Sequence, residues 1–310
     1  YGYTGPNLSL KPEMTTSYEG GFEARFLNDR INADFTYYKT KCEDQYVTGF
    51  RLSYATGFVL NNMNVGTFET NGWDLHVDGD VLRLQNGLRW NVGMNLSHST
   101  SEVTHLPENV SEYYNAYTWL SGNLRNGIIK GHPVTTMTGK AYQRNKKGDV
   151  LISPTTGLPL VSDEWSVVGD RQPDMEFGLT TAISWKNFRL SALASGKLGF
   201  TVVNGTKRDM MGTGSSWESV TLRESKPVVF KGVLKDGHEN SANPTVNSIA
   251  VTYNNYGSSI YTGGDESWLE DDINFLRLSE VRLSYNVPSS WLKRATKNFV
   301  SSASIWAKAT

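Results

Sequence analysis

The chain has 310 residues and a mass of 34.5 kDa, enough to bury a large core as one or two domains. Its 30 basic and 31 acidic side chains leave a net charge of −1, and the one basic run, Lys293–Lys297 (KRATK), is too short for a polybasic arm, so nucleic acid is excluded as an electrostatic partner. Mean hydropathy is −0.42 and no apolar run approaches the ~18–20 residues of a membrane helix, so any membrane-spanning structure would have to be a closed β-barrel.

Strand-like segments of alternating polarity recur in pairs. Thr16–Leu27 and Arg30–Lys39 are joined only by Asn28-Asp29. A long stretch, Thr40–Phe68, precedes Glu69–Asp80, and the short link Val81–Asn86 leads to Gly87–His98. The next long stretch, Ser101–Asp170, precedes Met175–Trp185, and Lys186-Asn187 leads to Phe188–Val203. Asn204–Asp272 is the third long stretch. Asn274–Val287, a modest link and a strand-like run after Phe299 close the series. Short turns therefore alternate with long loops, the pattern of a transmembrane barrel with tight turns at one end and large loops at the other.

The alternation puts Trp73, Leu75, Val77 and Gly79 on one face, against Asp74, His76, Asp78 and Asp80. Such a polar row cannot face lipid, where a charge costs roughly 2–4 kcal/mol at the midplane, but it can face an aqueous lumen. Asn274–Val287 is less regular, because Phe275, Val281, Leu283 and Tyr285 share one parity while Leu276 and Leu278 fall on the other. A bulge near Ser279 would reconcile them, and Pro288 ends the strand. The long stretches carry Gly, Pro, Asn and Ser punctuation with embedded aromatics. No linker or composition shift marks a second domain, so residues 1–310 are assigned as a whole to one barrel.

Chemistry-bearing motifs are missing. Gly131–Lys140 ends in Gly-Lys, but the spacing of its glycines is wrong for a phosphate loop and Ala141 stands where Ser or Thr is needed. The histidines, His76, His98, His105, His132 and His238, lack ligand spacing, and Cys42 is the only cysteine, so no metal site and no internal disulfide is expected. No Ser sits in a nucleophile elbow. The acidic group Asp265, Glu266, Glu270, Asp271 and Asp272 offers oxygen ligands for calcium, but it lacks a known loop spacing and reads first as a solvated loop tip. No cofactor is expected. Aromatics at 12% fit interfacial girdles and equally a carbohydrate-binding sandwich.

Four motifs carry a resemblance. Asn7–Lys41 (NLSLKPEMTTSYEGGFEARFLNDRINADFTYYKTK) resembles the entry strand of TonB-dependent outer-membrane transporters of the SusC/RagA type. Asn64–Leu75 (NVGTFETNGWDL) is similar to a second segment of that family, with Asp74 where Glu is usual. Val168–Leu193 (VGDRQPDMEFGLTTAISWKNFRLSAL) and Asp271–Pro288 (DDINFLRLSEVRLSYNVP) resemble two more. They follow in family order and cover nearly the whole chain.

The resemblance implies an all-β fold, a transmembrane antiparallel barrel of about 22 strands of which eight are read here. It places the N-terminal plug, the TonB-contact segment and the last strands outside this chain, which starts without Met and reads as a segment of a longer protein. The implied activity is TonB-dependent import of a nutrient, an oligosaccharide first and a peptide second, across the bacterial outer membrane, with a SusD-like surface lipoprotein as lid. No covalent chemistry is implied. The loop aromatics Tyr114, Tyr117, Trp119 and Trp217 are the expected substrate- or lid-facing residues, and Asp74, Asp78 and Arg89 the expected lumen-facing ones. A passive porin shares the strand pattern and stays open, as do a secreted carbohydrate-binding sandwich and a lipid-embedded enzyme barrel.

Overall fold

A computed structural model describes residues 4–51, 60–117, 124–224, 226–252 and 263–310. Eight long strands form one sheet: β1 Met14–Phe26, β2 Ile31–Glu43, β3 Thr67–Arg83, β4 Arg89–His105, β5 Met175–Trp185, β6 Phe188–Val203, β7 Leu269–Asn286 and β8 Ser304–Ala309. Each is hydrogen-bonded to its neighbours in sequence, so the order across the sheet runs from β8 to β1 without a crossover. Such a meander needs only local connections. Short links (27–30, 84–88 and 186–187) alternate with long ones (44–66, 106–174 and 204–268), as expected from the sequence. β5 and β6 begin and end at the predicted residues. β3 and β4 instead run past their predicted bounds, to Arg83 and His105.

The tight turns follow from local backbone chemistry. Leu27, Asn28 and Asp29 all have positive φ (54°, 55° and 60°), as does Lys186 (52°). Asn and Asp accept this left-handed region better than other non-glycine residues. Register across the β1–β2 and β2–β3 pairs is unbroken from Met14↔Glu43 to Phe26↔Ile31 and from Cys42↔Phe68 to Ile31↔Gly79.

Unbroken register sorts the side chains onto two faces. On one, Phe22 faces Phe35 and Phe35 faces Leu75, and rings stack across the strands, Phe22–Phe35 at 5.8 Å and Phe35–Trp73 at 6.4 Å between centroids. These are not core residues: Phe22 is 60% exposed and Tyr18 72%. Leu190, Leu276 and Leu278 are exposed as well. An apolar face this extensive and uncovered is a surface for hydrocarbon. In β2 it runs from Ile31 to Tyr37, about 20 Å along the strand, and then becomes charged: Lys39 pairs with Glu69 at 2.8 Å and Lys41 with Glu43 at 2.8 Å.

β7 carries the parity switch expected near Ser279. Ser279 Oγ lies 3.2 Å from Ser195 Oγ, whereas Tyr285 stacks on Phe188 at 4.7 Å. Ser195 and Phe188 stand on opposite faces of β6, whose pairing with β5 is regular from Phe188 to Leu198. Two odd-numbered residues of β7 thus point to opposite faces, which requires one extra residue between them. The switch leaves Leu276 and Leu278 on the apolar face together with Leu283 and Tyr285.

The chain divides into two compact units. One comprises residues 1–104, 173–200 and 272–310 and holds the long-stranded sheet, with a small sheet of Thr4–Gly5, Leu60–Asn64 and Tyr46–Arg51. The other comprises residues 105–172 and 201–271. The two longest loops are therefore folded in themselves: Glu112–Tyr117, Arg125–Ile129, Thr136–Tyr142 and Val161–Asp170 make a four-stranded sheet. Leu124, Ile128, Ile152, Met211 and Trp268 are buried in this unit, and two helices, α1 Gly205–Thr213 and α2 Trp217–Glu224, belong to it.

Two adjacent glycines of β1 test the packing of the sheet. A Cβ at Gly20 would meet nothing within 4 Å, whereas one at Gly21 would lie 2.4 Å from the Phe35 carbonyl oxygen. Gly21→Ala is expected to cost about 1–3 kcal/mol by overpacking and Gly20→Ala close to nothing, read as the shift in thermal unfolding of the folded barrel. Equal shifts would remove the close approach as the cause.

Candidate functional site

The opposite face of the sheet is a continuous polar surface. Asp74, His76, Asp78 and Asp80 alternate along β3 as predicted, and each meets a polar partner on a neighbouring strand. Ser97 donates to Asp74 Oδ1 at 2.6 Å, and His76 Nδ1 lies 2.5 Å from Asn95 Oδ1. Asn32 donates to Asp78 Oδ2 at 3.4 Å, and His76 Nε2 lies 3.3 Å from Asp78 Oδ1. Between Asp78 and Thr180, Gly93 lets the Thr180 hydroxyl approach, since a Cβ there would lie 2.5 Å from Thr180 Oγ1 and 3.6 Å from the Asp78 Cβ. Glu23, Asp34 and His76 stand in line across β1, β2 and β3.

At the short-turn end this surface closes into an ion-pair hub that sequence reasoning placed in the row but did not single out. Asp80 is 5% exposed. Its carboxylate accepts from Arg83 Nη2 at 2.5 Å, from Arg89 Nε at 2.6 Å and from Asn91 at 3.4 Å. Arg30 donates to the carbonyls of Asp80 and Val81 at 3.1 and 3.3 Å. The predicted lumen residues Asp74, Asp78 and Arg89 thus share one face, but Arg89 is tied to Asp80. The signal for the hub was the pair Asp80 and Arg83 flanking a turn that returns to Arg89.

The second unit holds the loop aromatics. Tyr114 lies in the strand Glu112–Tyr117, with the Arg125 guanidinium carbon 4.8 Å above its ring. Trp165, which sequence reasoning passed over, receives the same guanidinium at 3.6 Å. Arg125 also donates to both oxygens of Glu112, at 3.1 and 2.9 Å, and Thr138 donates to Glu112 Oε1 at 2.8 Å. A planar guanidinium gripped by two rings and a carboxylate fixes three strands together. Tyr117 ends the strand opposite Arg125, and its side chain lies outside the described residues, as does all of Trp119. Trp217 opens α2 and is 83% exposed.

The acidic group of residues 265–272 is spent on other contacts. Asp265 is buried and accepts the Lys140 N–H at 2.7 Å. Glu266 pairs with Arg144 at 2.7 Å, Glu270 accepts from Asn204 at 2.5 Å, and Asp271 accepts from Thr201 at 2.9 Å. Among the described residues no cluster of His, Cys, Asp or Glu could hold a metal ion. The expectation of a solvated tip is corrected at Asp265, whose carboxylate caps a strand edge.

Two substitutions rank the polar contacts. Asp80→Ala leaves Arg83 and Arg89 without their carboxylate and is expected to cost about 1–3 kcal/mol, more than Arg89→Ala, which leaves Asp80 with Arg83 and Asn91. The thermal midpoints of the two variants check the order. Arg125→Lys keeps the charge but loses the fork and the stack, so faster proteolysis within residues 105–172 is expected, with the barrel midpoint unchanged.

Comparison with known proteins fits this geometry. A family profile described as "TonB dependent receptor-like, beta-barrel" matches residues 1–291. The chain is 24% identical over 305 residues to TonB-dependent receptor P26 of Formosa agariphila, covering 92% of this chain and 28% of that protein. It is 23% identical over 195 residues to TonB-dependent receptor SusC of Bacteroides thetaiotaomicron, covering 60% and 19%. Among solved structures, that of the RagAB peptide transporter superimposes with a TM-score of 0.65 at 18% identity, over 98% of this chain and 32% of that one, a likeness of fold. The chain thus spans less than a third of the relatives it matches. Proteins of this kind are receptors of the bacterial outer membrane and not enzymes. The all-β meander, its exposed apolar face and the match over residues 1–291 make the chain a member of the TonB-dependent receptor-like β-barrel family.

Proposed function

We propose that the chain forms part of the barrel wall and the outer loops of a TonB-dependent importer that takes up an oligosaccharide, working with a SusD-like surface lipoprotein. The observation that carries this reading is the two-faced sheet, apolar and uncovered on one side and lined by Asp74, His76, Asp78 and their partners on the other. In this reading the polar side is the lumen wall. The short turns face the periplasm, and the folded loops of residues 105–172 and 201–271 face the medium, the ligand and the lid. All of residues 1–310 then belong to the barrel domain. The plug and the TonB-contact segment would be supplied by other parts of the full-length protein, with energy passed to the barrel through them.

A peptide is the second reading, favoured by the fold-level likeness to the RagAB peptide transporter. Flat aromatic rings suit both ligands: Tyr114 and Trp217 can stack on sugar faces or lie along a peptide. Asp74, Asp78 and Arg89 would line the path, Arg89 through the field of its pair with Asp80 more than by direct contact.

Growth decides the nutrient class. A strain lacking the full-length gene is expected to lose growth on particular oligosaccharides at limiting concentration and to keep growth on peptides. The reverse pattern establishes the peptide reading, and normal growth on both removes the importer reading. Trp217→Ala is expected to weaken ligand binding by the purified full-length protein about tenfold without moving its unfolding midpoint. Unchanged affinity would take Trp217 off the ligand surface.

A further inference from the structure

We propose that the short-turn end of the sheet around β6, β7 and β8 is a docking surface for the anionic headgroups of phospholipids. The inference rests on membrane embedding of the sheet and not on the import reading.

Two segments meet there. The turn Lys186-Asn187 is held to the end of β7, because Asn286 donates its N–H to the Asn187 carbonyl at 2.8 Å. Beside it Phe188 packs on Tyr285 at 4.7 Å. The chain then passes Pro288 into a short helix, α3 Ser289–Ala295, and a turn in which Lys297 and Asn298 have positive φ. This link connects β7 to β8 at the end of the sheet that carries the other tight turns.

The cluster combines uncovered aromatics with cations. Trp185 and Phe188 are about half exposed, Trp291 is 69% exposed and Phe299 is 92% exposed. Lys186 lies over the Trp185 ring at 4.6 Å, and Lys293, Arg294 and Lys297 are exposed. Neither 185–188 nor 287–303 contains an Asp or Glu, and none of the four cations makes an ion pair among the described residues. Other cations near this end, Arg83 and Arg89, are bound to Asp80, whereas those of the turn and the α3 link are not neutralised by a carboxylate.

Charge complementarity selects the occupant. Trp rings settle at the headgroup level of a bilayer and Phe rings at its boundary with the acyl chains, and cations beside them then meet the phosphodiester plane. Each Lys or Arg near an anionic membrane surface contributes about 1 kcal/mol, a factor of about five in affinity. Cations at a helix C-terminus also favour its dipole, but that does not account for Lys186, which sits in a separate turn, or for the exposed rings.

The test uses the full-length protein in mixed micelles of phosphatidylcholine and phosphatidylglycerol, with retained lipids counted by native mass spectrometry. Wild type is expected to retain phosphatidylglycerol preferentially, and the preference is expected to fall at least about tenfold in the variant K186Q/K293Q/R294Q/K297Q. Raising salt to screen exposed charges is expected to have the same effect on wild type, which keeps the test open if the variant does not fold. Trp291→Ala is expected to weaken retention of both lipids. Equal phosphatidylglycerol retention by wild type and the four-site variant, or retention insensitive to salt, overturns the proposal. So does displacement of the lipid by millimolar inorganic phosphate, which would make free phosphate the ligand.

Discussion

Every backbone N–H and C=O of a strand in hydrocarbon must find its partner on the next strand, since lipid offers none. The rest of the structure depends on this constraint. It holds the β1–β2 and β2–β3 pairs in register over their whole lengths, and unbroken register converts a period of two in the sequence into two chemically distinct faces. Phe22, Phe35 and Leu75 line up because Met14 pairs with Glu43 many residues away. The polar row on β3 exists for the same reason. A single slip would send Asp74 and Asp78 into the apolar face.

Against that background the two units solve different problems. The sheet leaves its apolar side chains uncovered and draws its cohesion from the ladder and from polar contacts such as those of Asp80. The loop unit buries a small core of its own, with Ile128, Ile152 and Trp268 covered and a guanidinium clamped between rings at its sheet. Carboxylates that could have been a cation site, such as Asp265 and Glu270, are already used by Lys140 and Asn204.

Much of the sheet was legible in the sequence, because period two and tight polar turns are local signals. β5 and β6 could be bounded to the residue, since Pro173 and Lys186-Asn187 punctuate them. The far ends of β3 and β4 could not: β3 runs on to Arg83 through what reads as a link, and in β4 Ser99, Ser101 and Glu102 continue the strand without an apolar alternation to reveal it. The loop strands escaped for a related reason: Arg125–Ile129 and Thr136–Tyr142 are short, and their burial comes from contacts distant in sequence. The same holds for the site. Asp74 and Asp78 follow from parity alone, whereas the grip of Tyr114 and Trp165 on Arg125 joins residues far apart along the chain, which no spacing rule could pair.

The parity switch of β7 has a consequence for how the sheet assembles. A strand of uniform alternation can shift by two residues against its neighbour and still present the correct side chains to each environment. β7 cannot, because Ser279 meets Ser195 on one face and Tyr285 meets Phe188 on the other. Any shift would carry the extra residue away from its place and turn Leu278 or Leu283 toward water. The irregularity thus works as an index mark, leaving one alignment in which both halves of the strand are correctly wetted.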